Sequence, residues 1–139
     1  MKLQFNQKEC VGCEMCSLVC TLTHEGVTGL EQARIKITRN YPSLMDPLFK
    51  AAFCQNCANA KCIEACAVGA LTEDAEGIVH HDPETCIGCG NCVEACCVEA
   101  CPFHAIWMDA KTGKAFKCDL CGGKPECVGY CLHDALKFE

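Results

Sequence analysis

The chain has 139 residues, 18 of them cysteine, and a formal net charge of −6. About one residue in eight is therefore cysteine, above the ~8–10% at which cysteine becomes a scaffold, and the apolar residues left over are few for one packed core. No basic block, Gly-rich phosphate loop or apolar run of ~18 residues occurs, which argues against nucleic-acid, nucleotide and membrane-spanning roles.

Lys2-Leu3-Gln4-Phe5 alternates polar and apolar residues and reads as a short strand. The residues up to Cys10 contain no apolar signal region and no twin-arginine pair, so a cytoplasmic, reducing location is expected, where structural disulfides are rare. The first cysteine group, Cys10, Cys13, Cys16 and Cys20, follows. Ala33-Arg34-Ile35-Lys36-Ile37-Thr38 alternates and predicts a strand, and Pro42 and Pro47 bracket a loop. The second group is Cys54, Cys57, Cys62 and Cys66. Gly77-Ile78-Val79-His80 reads as a strand ended by Asp82-Pro83. The third group begins Cys86, Cys89, Cys92, Cys96 and runs on to Cys97 and Cys101-Pro102. Strands are expected at Ala105–Met108 and Ala135–Phe138, and residues 107–117 read as a hairpin that turns at Gly113. The fourth group is Cys118, Cys121, Cys127 and Cys131.

Spacing separates the chemistries open to these cysteines. Disulfides bridge neighbours at x2 spacing poorly. Four-cysteine zinc sites present two CxxC pairs across a longer knuckle, whereas each group here packs its four cysteines into a short window. The run C-x2-C-x2-C-x3-C instead wraps three thiolates around one cubane cluster and sends the fourth to another. The x3 gap is one helical turn, which places Cys62 with Cys66, and Cys127 with Cys131, on one helix face. Groups two to four each read as cysteine loop, one helical turn, then a short strand, because Ala70-Leu71, Ala105-Ile106 and Ala135-Leu136 recur at a fixed distance.

The third group contains a tandem copy, Cys92-Val93-Glu94-Ala95-Cys96 then Cys97-Val98-Glu99-Ala100-Cys101. Two ligand frames follow. Cys97 and Cys101 keep the helix-to-strand register of groups two and four, and strand register is hard to slip when one face is buried; this frame is favoured. Cys92 and Cys96 keep the tighter loop and remain the alternative. A frame mixing Cys92 with Cys101 breaks the one-turn spacing and ranks third. The five histidines, His24, His80, His81, His104 and His133, are scattered and read as surface or hydrogen-bonding residues. Trp107 and Phe116 read as strand packing. Lys61, Lys117 and Lys124 read as solvated side chains near thiolates. Each oxidised cubane with its thiolates adds about −2, so four would take the chain to about −14 and favour a partner with a basic docking face.

The four-group order resembles the four-cluster ferredoxin-like electron-transfer subunits of the dimethyl sulfoxide reductase type. Within these it is similar to the compact forms that accompany tungsten aldehyde oxidoreductases, carbon monoxide dehydrogenases and hydrogenases. The resemblance rests on Cys10–Cys20 with Thr23-His24-Glu25-Gly26 and Ala33-Arg34-Ile35, and on Lys117-Cys118-Asp119-Leu120-Cys121. It implies an α+β fold of two bacterial-ferredoxin-like modules, with short strands and one-turn helices around four [4Fe-4S] clusters. Residues 1–53 and 102–139 would carry groups one and four, and residues 54–101 groups two and three. Carried over, Cys10, Cys13, Cys16 and Cys131 bind one cubane, and Cys118, Cys121, Cys127 and Cys20 its neighbour. Cys54, Cys57, Cys62 and Cys101 bind the third, and Cys86, Cys89, Cys97 and Cys66 the fourth. The sequence departs from the pattern at the Cys92–Cys101 duplication and lacks proline after Cys20, Cys66 and Cys131. The implied role is electron transfer, without catalysis by this chain. Its partners would be a large tungsten, molybdenum, carbon monoxide dehydrogenase or hydrogenase-type subunit and a further acceptor subunit, with no nucleic acid and no membrane insertion. A free-standing polyferredoxin shuttle and a zinc-bound scaffold are the competing readings.

Overall fold

The computed structural model describes residues 1–39, 48–88 and 97–139. The expected loop at Pro42–Pro47 and the cysteines Cys89, Cys92 and Cys96 lie outside them. Strands pair two by two. β1 (Leu3–Phe5) pairs with β8 (Leu136–Phe138), and β2 (Ile35–Arg39) with β3 (Phe49–Phe53). β4 (Leu71–Glu73) pairs with β5 (Val79–His81), and β6 (Ile106–Met108) with β7 (Ala115–Lys117). The helices are α1 (Met15–Glu25), α2 (Lys61–Ala65), α3 (Cys97–Ala100) and α4 (Glu126–Gly129). A short 3-10 turn spans Leu120–Gly122. No helix among the described residues is long and apolar enough to cross a membrane.

The chain divides into two compact units, Met1–Ala52 with Lys124–Glu139, and Phe53–Gly123. The expected boundary differs: residues 102–123 fall in the second unit, so group four is split, with Cys118 and Cys121 in one unit and Cys127 and Cys131 in the other. The reason is packing. Ala105, Ile106 and Ala115 of the 105–117 hairpin share one buried cluster with Leu71 and Val79, and β7 packs on β5. A hairpin that buries its apolar face there belongs to that core.

In the first unit, β1 and β8 align antiparallel with Leu3 opposite Phe138 and Phe5 opposite Leu136. Backbone bonds extend the pairing, from Asn6 N–H to Ala135 O at 2.7 Å and from Glu139 N–H to Lys2 O at 3.1 Å. α1 is three turns long, not the single turn expected. Its buried face carries Cys16, Ser17, Val19, Cys20 and Thr21, the i, i+3, i+4 pattern of an amphipathic helix. Ser17 Oγ donates to Ile35 O at 2.8 Å and so ties α1 to β2. Gly26, at φ +72, ends the helix, its N–H bonding Leu22 O.

In the second unit, β4 and β5 form a ribbon with Leu71 opposite His81 and Glu73 opposite Val79. Between them Asp74 accepts from the N–H groups of Glu76 and Ile78, both at 2.9 Å. β6 and β7 align Trp107 with Phe116, whose rings lie 5.9 Å apart at 37°, the strand packing expected of them.

Candidate functional site

The first cysteine of each group opens the same turn. The residue two positions on has a positive φ in all four: Gly12 (70°), Asn56 (45°), Gly88 (84°) and Leu120 (55°). In three of them that residue's N–H donates back to the cysteine Sγ at 3.4 Å: Gly12 to Cys10, Asn56 to Cys54 and Leu120 to Cys118. The left-handed turn costs Leu120 roughly 1–2 kcal/mol, a strain the loop bears to aim an amide at a sulfur. Asn56 also accepts the Val79 N–H through Oδ1 at 2.9 Å, which anchors its loop to β5. For Leu120, the neighbouring Asp119 carboxylate accepts the Cys121 N–H at 3.0 Å and caps the turn.

The last cysteine of groups two, three and four opens a second repeated turn. Three residues beyond Cys66, Cys101 and Cys131 stand Gly69, His104 and Asp134, at φ 69°, 50° and 52°. Ala70 N–H donates to Cys66 Sγ at 3.3 Å and Ala105 N–H to Cys101 Sγ at 3.4 Å. Ala70, Ala105 and Ala135 are then buried, as are Leu71, Ile106 and Leu136 after them. Cys101 thus occupies the place that Cys66 and Cys131 occupy. Cys62 and Cys127 lie within α2 and α4, whereas Cys66 caps the end of α2 and Cys131 lies just past α4.

Two cavities collect the cysteines. In the first unit, Cys10, Cys13, Cys16 and Cys131 line one cavity together with Phe5, Ile37 and Leu136. The pairing of β1 with β8 brings Cys131 to a loop from the other end of the chain. Burial pushes the Cys16 thiol up to about 11, and the Cys10 and Cys13 thiols add to the rise. In the second unit, Cys54, Cys57, Cys62 and Cys101 line a cavity with Ala60, Val79, Pro102 and Ile106. Burial raises the Cys62 thiol; Cys54 and Cys101 raise it further, while the Lys117 charge lowers it. Cys86 and Cys97 are buried in the adjoining cluster, and Cys66 packs against it. None of the fifteen cysteines of the described residues is in a disulfide.

Each cavity therefore offers four convergent sulfurs, apolar walls and backbone amides directed at sulfur. This donor set fits a thiolate-held iron–sulfur cubane, whose negative charge calls for amide donors and exclusion of water. Cys20, on α1, accepts Arg34 N–H at 3.3 Å through Sγ. His24 Nδ1 lies 2.9 Å from Cys20 O and 3.8 Å from its Sγ, a hydrogen-bonding role as expected for the histidines.

Two residues escaped sequence reasoning. Asn56 stands where Gly12 and Gly88 stand in their groups, and that alignment was the signal for its left-handed turn. Lys117 was expected in solvent but is 1% exposed; its place next to Cys118, at the inner end of a hairpin strand, was the signal.

Comparison with known proteins agrees with this chemistry. The family described as 4Fe-4S dicluster domain matches residues 45–139. The thiosulfate reductase electron transfer subunit PhsB of Salmonella typhi is 36% identical, over 60% of this chain and 45% of its own. The polyferredoxin-like subunit of the aliphatic sulfonate oxidoreductase of Pyrococcus furiosus is 38% identical over 57% and 44%. The formate dehydrogenase iron–sulfur subunit of Wolinella succinogenes is 32% identical over 63% and 44%. The match thus spans less than half the length of these relatives. A chain of the active-site complex BamBC of benzoyl coenzyme A reductase shares the fold, with a TM-score of 0.54 and 19% identity over 99% of this chain and 78% of that one. The family match covers more than half of the sequence: the chain belongs to the 4Fe-4S dicluster domain family.

Proposed function

We propose that the chain is an electron-transfer subunit that carries four [4Fe-4S] clusters and links a catalytic oxidoreductase subunit to an electron acceptor. The observation that carries this reading is the convergence of four thiols on one cavity in each unit. Cys10, Cys13, Cys16 and Cys131 are proposed to hold one cluster, and Cys54, Cys57, Cys62 and Cys101 another. The other eight proposed ligands, Cys20, Cys66, Cys86, Cys89, Cys97, Cys118, Cys121 and Cys127, hold the remaining two. A bound [4Fe-4S] cluster supplies a site for one reversibly held electron, with no atom transferred. The protein's part is to bind, shield and tune. The amides of Gly12, Asn56, Ala70 and Ala105 direct partial positive charge at cysteine sulfur, and the apolar walls keep water out. Neither cavity holds a catalytic constellation beyond its cysteines, which favours a conduit over an enzyme.

The named relatives are electron-transfer or iron–sulfur subunits, which supports a catalytic partner. A tungsten aldehyde oxidoreductase-like subunit is the favoured one, from the resemblance of the cysteine order, and the loaded chain, at about −14, suits a basic docking face on it. A cytoplasmic setting keeps the thiols reduced until loading. Iron and sulfide analysis of the anaerobically purified chain is expected to give roughly sixteen of each per chain. About eight of each, or stoichiometric zinc in a colourless protein, would sink the four-cluster reading. Co-purification from native cells then identifies the partner by its own metal.

A further inference from the structure

Lys117 closes β7 with its side chain turned into the second unit, 1% exposed. Its Nζ donates to the carbonyl of Val79 on β5, and to that of Cys118 at 2.7 Å. Val79 lines the cavity formed by Cys54, Cys57, Cys62 and Cys101. The ammonium is thus pinned by two carbonyls, one of them on Val79 in the cavity wall. The other lysine at this cavity, Lys61, is exposed, so water screens its charge. Burying an ammonium is costly, and a long apolar side chain would fill the same space without that cost. The position is useful for a cation only where negative charge gathers, and four thiolates around an electron-accepting centre gather it.

We propose that Lys117 sets the electron affinity of one centre: its buried positive charge raises the reduction potential of the [4Fe-4S] cluster held by Cys54, Cys57, Cys62 and Cys101. This rests on the cluster reading above. Reduction brings one electron from the donor and no proton, so the site gains one full negative charge. A fixed cation in a low-dielectric wall favours the reduced form over the oxidised one. The electron leaves to the acceptor with the cation unchanged. Lys117 touches no reacting atom; it acts through the field at the sulfurs.

The test uses the full chain, reconstituted anaerobically with iron and sulfide, as wild type, Lys117→Arg, Lys117→Met and Lys117→Gln. Iron content is measured first, then the potentials by redox titration with dithionite, followed by electron paramagnetic resonance. The neutral variants are expected to bind as much iron as the wild type. One couple is expected to fall in both, by about tenfold or more in the reduced-to-oxidised ratio at fixed potential, which is about 59 mV for one electron. Lys117→Arg is expected to keep the wild-type value. Unchanged couples in the neutral variants overturn the proposal. So does an equal shift in Lys117→Arg, which assigns the effect to packing, and so does iron loss in both neutral variants, which assigns Lys117 to assembly. If Lys117→Met alone loses iron, Lys117→Gln decides. A wild-type chain that takes up no iron refutes the cluster reading itself, and the iron analysis separates that outcome from the others.

Discussion

Gly69 shows how much of the site is written in single backbone angles. It sits at φ +69 with open space where a Cβ would stand, so a side chain there meets strain and no clash. Gly69→Ala is expected to cost about 1–2 kcal/mol, seen as a lower urea midpoint of the loaded protein under anaerobic conditions. An unchanged midpoint would mean that the turn after Cys66 relaxes freely. His104 and Asp134 hold the same left-handed angle without glycine's freedom, so they bear a strain that Gly69 does not. A motif search for glycine finds Gly12, Gly69 and Gly88 but passes over Asn56, Leu120, His104 and Asp134. Burial of Lys117 is only faintly signalled, by its place at the end of a hairpin strand next to Cys118, because a lysine beside a cysteine reads as solvated unless the strand that carries it is known to face inward.

The repeating unit of loop, one helical turn and short strand was legible because it recurs. Ala70-Leu71, Ala105-Ile106 and Ala135-Leu136 put small and branched apolar residues at one distance from a cysteine, and all six are buried. β1, β2, β5, β6, β7 and β8 fall on segments read as strands. β3 was missed, since Phe49-Lys50-Ala51-Ala52-Phe53 does not alternate cleanly and gains its strand character from pairing with β2. α1 runs longer than the one-turn helices expected because a face of Cys16, Val19 and Cys20 is buried along it. In the β4–β5 ribbon, Asp74 is the turn's anchor. Its carboxyl is held below the ordinary range, first by His80, whose Nε2 lies 2.7 Å from Oδ2, and then by the Ile78 and Glu76 N–H groups. A lowered folded-state value means stabilisation that is present above the unfolded value and lost as pH falls through the folded one. Asp74→Asn is therefore expected to lower the thermal midpoint at pH 7, and the gap from wild type to narrow as pH drops below about 4. A constant gap across that range would show that the carboxylate charge is not what holds the turn.

Across the whole chain, the tandem Cys92–Cys101 segment decides which of two frames supplies ligands. Cys101 follows α3 and leads into β6, and it stands in the wall with Cys54, Cys57 and Cys62, a placement in line with the proposed downstream frame. Cys97→Ser or Cys101→Ser is expected to remove about one cluster's iron, roughly four atoms per chain, while Cys92→Ser or Cys96→Ser leaves the iron count near that of the wild type. The reverse ranking would establish the upstream frame. The module boundary expected near residue 102 moved because the 105–117 hairpin buries Ala105, Ile106 and Ala115 on Leu71 and Val79, a preference that cysteine spacing does not encode.

Local chemistry was set along the chain. A cysteine two residues before a left-handed turn and a small apolar pair after a helix are short-range patterns, and the chain carries each within a few residues. Which sulfurs meet at one cavity was settled in three dimensions. Cys131 reaches Cys10, Cys13 and Cys16 because β8 lies on β1, and Cys101 reaches Cys54, Cys57 and Cys62 because α3 packs on α2. Burial of Lys117 likewise waits on β7 packing against β5. Spacing specifies which residues can turn toward a metal; convergence and burial depend on distant segments packing, and their free energy exists only once the core has formed.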